Sequence, residues 1–202
     1  MDSSLYRFVN RLADRTGFLH PLVVAYAKYG IALFAVLLIA GWWRARATGD
    51  HRSMAAMLWA GAGAVAALGV AQLIGQLVDR ARPYTIMPTA HVLIDRTSDF
   101  SFPSDHATAV GAVAAGLWLA NRRFGLLAGV LAVLMAFSRV YVGAHYPGDV
   151  LAGLLLGAAI VTGLWPVAHR LLDPVLDRLD GSAVGVLVNR VRPCGGDDGI
   201  LN

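Results

Sequence analysis

Apolar residues in this chain come in long runs, and the polar residues between them fall at intervals that fit a small number of helices. From Pro21 to Trp43, Ala55 to Val78, Ala107 to Ala120, Phe124 to Val142 and Asp149 to about His169 the sequence carries almost no charge. With flanking residues each run reaches roughly 18 to 24 residues, the length that crosses a bilayer core as an α-helix. The pattern predicts an all-α fold: a polytopic membrane helix bundle of about five transmembrane helices plus an N-terminal interfacial helix. In that helix Leu5, Phe8, Val9 and Leu12 lie against Arg7, Arg11 and Arg15, which suits the membrane surface. Tyr26, Tyr29 and the pair Trp42-Trp43 are placed to form interfacial belts, with Lys28 snorkelling to the nearer surface. Residues 1–172 read as one integral membrane domain, with 1–20 its interfacial helix. Residues 173–202 read as a cytoplasmic tail, amphipathic through Val175, Leu176 and Leu179 and then Gly-rich and loose.

Composition narrows the class. At 57% hydrophobic and 15% charged residues, with a mean hydropathy of +0.59, the chain is too apolar for an ordinary soluble domain. Its net charge of +4 rests on basic residues placed mostly between apolar runs, which excludes nucleic acid as a partner and favours an anionic lipid surface or substrate. The single Cys194 cannot form an internal disulfide and belongs to no Cys-X5-Arg phosphatase loop. The stretch from Met1 to His20 lacks the pattern of a cleavable signal peptide.

Three polar islands interrupt this landscape: Asp79-Arg80-Ala81-Arg82-Pro83, Phe102-Pro103-Ser104-Asp105-His106, and Ser138 to Asp149 with Arg139, His145 and Asp149. Charge at a bilayer segment is costly and marks a functional site. His145 and Asp149 are four apart, so on a helix the carboxylate can reach one ring nitrogen and leave the other nucleophilic. Arg139 adds a planar fork suited to phosphate. Ser104 stands where a helix begins, beside free N–H groups that favour an anion. A zinc site at His106, His145 and Asp149 is the sharper competitor, but the neighbouring arginines repel a dication and attract an anion. The long connection from Arg80 to Pro103, broken by Pro83 and Pro88, is placed to cover the site.

These islands resemble, in spacing as well as type, the three signature motifs of the type 2 phosphatidic acid phosphatase superfamily. Arg139, His145 and Asp149 match its Arg, five residues, His, three residues, Asp; Ser104 and His106 match its Pro-Ser-X-His; Arg82-Pro83 matches the end of its first motif. The family's first motif usually opens with a lysine at the position of Gly75, so that contact is absent or is supplied by Arg80 or Gln76. The middle motif usually reads Ser-Gly-His; Ser104-Asp105-His106 is similar to the bacitracin-resistance branch of undecaprenyl-diphosphate phosphatases.

The resemblance implies a metal-independent lipid phosphatase with no cofactor. His145 is then the nucleophile, Asp149 its orienting carboxylate, and His106 the acid and later the base. Arg82, Arg139 and Ser104, with Arg80 and Asp105, bind substrate. Asp105 is expected to pair with an arginine of the first motif or with a proton on a second phosphate. The implied reaction takes a polyprenyl diphosphate to its monophosphate. The alternatives are a glycerolipid phosphatase, acting on phosphatidate or phosphatidylglycerol phosphate, and a non-catalytic transporter of anionic lipids, which the lack of an internal repeat disfavours. Nine arginines, Arg44, Arg46, Arg52, Arg122, Arg123, Arg170, Arg178, Arg190 and Arg192, gather on one side of the spans, which points to a cytoplasmic C-terminus and a site on the outer face of the cell membrane.

Overall fold

The computed structural model describes residues 2–180, and over these the chain is all helix and connecting loop. The helices are α1 (Asp2–Arg15), α2 (His20–Tyr29), α3 (Ile31–Thr48), α4 (His51–Val78), the short α5 (Pro83–Ile86), α6 (Asp105–Ala120), α7 (Arg122–Tyr141) and α8 (Pro147–Asp180). Four stretches are long and apolar enough to cross a membrane: α3, His51–Ile86, α7 and Pro147–Leu179. At 16 residues α6 is shorter, yet it crosses the same bundle. It starts beside the end of α8 that carries Asp149, where Ser104 N–H donates to the Asp149 carbonyl. It ends where Ser53 Oγ, at the start of α4, donates to the Ala120 carbonyl.

Small residues set the spacing in this bundle. On α4, Ala56, Ala60, Ala64, Ala67, Ala71 and Gly75 are all buried and recur every three or four positions, a stripe that lets helices approach closely without an apolar driving force from lipid. On α8, a Cβ at Gly153 would stand 2.6 Å from the Ser104 carbonyl, and one at Gly157 would run into the carbonyl of Thr108. The Gly-x-x-x-Gly pair therefore brings α8 onto α6 backbone to backbone. That contact fixes the first turns of α6 and α8, which carry His106 and Asp149, relative to each other.

Three sequence expectations change in the structure. The apolar run from Pro21 does not continue as one straight helix but breaks at Gly30, between α2 and α3. Tyr26 is consequently no belt residue, since its hydroxyl donates to the Leu131 carbonyl of α7, while Lys28 pairs with Asp95 at 3.2 Å. The face of α1 that docks on the protein is Tyr6, Val9, Asn10 and Ala13. Leu5, Phe8 and Leu12 face outward together with Arg7, Arg11 and Arg15. Finally, α8 continues through Pro166 and Pro174 to Asp180, so Val175, Leu176 and Leu179 prolong the last helix. The Gly-rich remainder of the expected tail lies outside the described residues.

Candidate active site

The end of α7, the turn after it and the start of α8 place His145 in the interior, 2% exposed. Both of its ring nitrogens are engaged. Nε2 lies 3.1 Å from Arg82 Nη1 and Nδ1 lies 2.8 Å from the Ser101 carbonyl. An arginine can only donate, so Nε2 carries the lone pair and Nδ1 the proton that it gives to Ser101. Nε2 is thereby the ring nitrogen whose lone pair is free of a proton. Burial, then the charges of Arg82 and Arg139, push the His145 pKa well below its ordinary value of 6.5, which keeps the lone pair available.

Asp149 is fully buried but does not touch the ring as the spacing of four suggested. Its Oδ2 is 3.9 Å from His145 Nδ1, beyond hydrogen-bond reach. Instead Oδ2 accepts from Ser101 Oγ at 2.5 Å and from the Tyr146 N–H at 2.9 Å, while Oδ1 accepts from Arg80 Nη1 at 2.5 Å. The bond to Tyr146 is a capping contact: a carboxylate in the first turn of α8 reaches back to the N–H before it. Engaged at the helix start, Asp149 is linked to His145 only through Ser101, whose hydroxyl binds the carboxylate and whose carbonyl binds the ring.

The arginines divide. Arg82 is 7% exposed and is held as a fork, with Nε 3.1 Å from Asp99 Oδ1 and Nη2 2.9 Å from Asp99 Oδ2. Nη1 turns to the Ala144 carbonyl and to His145. Burial pushes the Asp99 pKa up, but hydrogen bonds from Thr97 and Arg82 and the Arg82 charge bring it below its ordinary value, so the fork is charged on both sides. Arg139, also 7% exposed, donates Nη1 to the Ala27 carbonyl at the α2–α3 break and leaves its buried Nε with no partner. Arg80 is placed otherwise than as a phosphate ligand, because Nη1 goes to Asp149 and Nη2 to Asp2 at 2.6 Å. It cannot stand in for the family lysine without leaving both.

Ser104 precedes α6 in extended conformation, as an N-cap should, but its side chain caps nothing. The hydroxyl is wholly buried and has no partner. His106 follows on the first turn of α6, close enough to Arg139 and Arg82 for their charges to act on it. Asp105 pairs with no arginine of the first motif: its Oδ2 accepts from Gln72 Nε2 on α4 at 2.8 Å. Gly75 is where the loop before α6 presses on α4. A Cβ there would stand 3.2 Å from both Phe100 Cδ2 and the Phe102 carbonyl, so a lysine at this position would crowd the loop, which must give by a few tenths of an ångström to accept it. The structure thus gathers Arg82, Ser104, His106, Arg139, His145 and Asp149 around one point, with Asp105 and Arg80 turned to neighbours at its edge.

Three residues were not evident from the sequence. Ser101 and Asp99 lie within five residues of Ser104, and the signal available was only their nearness to the middle motif. Asp2 carried no signal at all.

Residues 56–173 match the PAP2 superfamily. The chain is 32% identical over 177 residues to the undecaprenyl-diphosphatase BcrC of Bacillus subtilis, covering 88% of this chain and 89% of that protein. It is 47% identical over 104 residues to a decaprenylphosphoryl-5-phosphoribose phosphatase of Mycobacterium tuberculosis, covering 51% of this chain and 56% of that one. Among solved structures, the first transmembrane PAP2-type phosphatidylglycerolphosphate phosphatase from Bacillus subtilis superposes with a TM-score of 0.62 at 21% identity, over 84% of this chain and 87% of that chain. With the spacing of its three motifs, its helical fold and these matches in agreement, the chain belongs to the PAP2 superfamily and is a multi-pass membrane hydrolase acting on phosphate esters or anhydrides.

Proposed function

We propose that this protein removes the terminal phosphate of a polyprenyl diphosphate at the outer face of the cell membrane, through a phosphohistidine on His145. The observation that carries the reading is a pair of buried donors with nothing to bind, Ser104 Oγ and Arg139 Nε, beside a histidine whose tautomer puts the lone pair on Nε2, where it faces Arg82. Leaving such groups unpaired is expensive, and a tetrahedral dianion supplies acceptors for both.

In the first step Nε2 of His145 attacks the terminal phosphorus in line. The Nε2–P bond forms, the bond from phosphorus to the bridging oxygen breaks, and polyprenyl phosphate leaves with a proton from His106. Arg82 Nη1 moves off Nε2 onto an equatorial oxygen, where Arg139 and Ser104 also donate. The Nδ1 proton stays on the Ser101 carbonyl, and the buried Asp149 stabilises the cationic ring from the second layer. Water deprotonated by His106 then attacks phosphorus, inorganic phosphate leaves, and Nε2 regains its lone pair.

The substrate class is supported by the similarity to undecaprenyl-diphosphatase BcrC over most of both chains. The outer face is supported by the arginines at the opposite end of the bundle. The stronger identity over half the chain to a phosphatase named for a decaprenylphosphoryl sugar phosphate favours one second reading, a phosphomonoester on a polyprenyl-linked headgroup.

Purified protein in detergent with chelator should release phosphate faster from undecaprenyl diphosphate than from a polyprenylphosphoryl sugar phosphate or phosphatidylglycerol phosphate. With an activated diphosphate, His106→Ala should accumulate an acid-labile, base-stable phosphoenzyme and His145→Ala should form none. A phosphoenzyme in His145→Ala refutes the assignment of the nucleophile, and a preference for the sugar phosphate selects the second reading. For orientation, a cysteine at Thr97 should react with an impermeant thiol reagent in intact cells and one at Ala47 should not; the reverse labelling moves the site to the cytoplasmic face.

A further inference from the structure

From α1, at the opposite end of the sequence from the catalytic turn, one carboxylate reaches the site. Asp2 Oδ1 accepts from the N–H of Gly148 at 2.9 Å, and Asp2 Oδ2 accepts from Arg80 Nη2 at 2.6 Å. The second face of the Arg80 fork is bound to Asp149, Asp149 to the Ser101 hydroxyl, and the Ser101 carbonyl to His145 Nδ1. Every link is a hydrogen bond, and the two that involve Arg80 join opposite charges. The Arg80 guanidinium also lies 4.1 Å above the ring of Tyr146, which limits where it can turn. Tyr6, one α1 turn beyond Asp2, is buried and donates to the Gly143 carbonyl at 3.4 Å, so α1 is anchored on both sides of His145.

We infer that Asp2 is a positioning residue for the phosphatase reaction: it holds Arg80 in register so that Asp149 and Ser101 set the ring of His145. The inference rests on the reading of His145 as nucleophile. The reasoning is one of shared charge. Arg80 is only about one-third exposed, and its two Nη groups are each bound to a carboxylate, Nη1 to Asp149 and Nη2 to Asp2. With Asp2 present, Arg80 divides its two Nη groups between two carboxylates and Asp149 keeps part of its charge for Ser101 and the ring. Without the Asp2 charge, Arg80 has one carboxylate left and closes on it. Asp149 is then drawn toward Arg80, its bond to the Ser101 hydroxyl slackens, and the imidazolium formed in the first step loses support.

Asp2 contacts neither Ser104 nor Arg139, so substrate affinity should be spared while turnover falls. The test is a kinetic comparison of wild type, Asp2→Asn, Asp2→Glu and Arg80→Met, with Asp2→Asn also made in the Arg80→Met background. Asparagine keeps the size of the side chain and an acceptor for the Gly148 N–H, but it loses the charge. The expected result for Asp2→Asn is kcat down about tenfold with KM within about twofold, recovery of at least half of that loss in Asp2→Glu, and no further loss when Arg80 is already methionine. Asp2→Asn kinetics equal to wild type overturn the inference. So does an Asp2→Asn loss that appears undiminished in the Arg80→Met background, because a purely structural role for α1 adds to any other lesion whereas a relay cannot act without its middle member. Absence of phosphate release by the wild-type protein is a different failure, which strikes the phosphatase reading itself.

Discussion

Replacing Ser104 by alanine separates a helix cap from a phosphate ligand. If the hydroxyl served as a conventional N-cap, its loss would cost about 1 kcal/mol of stability. In the structure it caps nothing and is buried without a partner, a state that itself costs about 1–3 kcal/mol. Its removal deletes that penalty and leaves a void of only one oxygen, in a turn whose backbone bonds, Ser104 N–H to Asp149 and Thr108 N–H to Ser104, are untouched. Stability should therefore hold or rise by up to about 1 kcal/mol. Activity should move the other way. A hydroxyl donating to a charged phosphate oxygen is worth about 1.5–3 kcal/mol, which corresponds to a loss of about 10- to 150-fold in kcat/KM. The assay pairs phosphate release from undecaprenyl diphosphate with thermal unfolding of the same detergent-solubilised preparation. A Ser104→Ala protein that unfolds earlier by the worth of a cap while keeping most of its kcat/KM would refute both the reading of the hydroxyl and the role given to the orphaned donors.

Two further outcomes follow from distances at the same site. Gly75→Lys, which restores the usual family residue, should lower stability by about 1–3 kcal/mol through overpacking and add no activity, because its Cβ would stand 3.2 Å from the Phe102 carbonyl, a contact that is relieved only by shifting the loop that leads into α6. A gain in kcat/KM from that substitution would mean the loop before α6 yields. His145, whose folded pKa lies well below 6.5, stays neutral in the folded protein while the unfolded chain takes up its proton as pH falls through about 6.5. Stability should thus be fully present above that pH and decline below it, and His145→Gln should remove part of the decline measured by unfolding between about pH 6.5 and 5. An unchanged slope in that variant would mean that His145 protonates as readily folded as unfolded.

Much of this protein is legible in one dimension because a bilayer imposes one-dimensional rules. An apolar run long enough to cross must be helical to satisfy its backbone, so the bundle could be read from the spacing of Arg44, Arg80, Asn121 and Asp149. The motif residues could be read because phosphoryl transfer needs cations, a nucleophile and an acid. Pairings were another matter. A spacing of four made Asp149 the natural partner of His145, but on the folded chain that carboxylate starts a helix, and Ser101 stands between them. Gly75 looked like a lost contact, and only the loop pressed against it shows that a side chain there would be crowded. Asp2 is invisible in the sequence for the plainest reason: it lies 146 positions from Gly148, and no local pattern records which loop a helix will reach. Sequence thus determined which groups are present and how far apart they lie along the chain. The close approach of α6 and α8 at Gly153 and Gly157, and the docking of α1, decided which of those groups touch, because hydrogen bonds are won or lost over less than 1 Å and only packing fixes positions that finely.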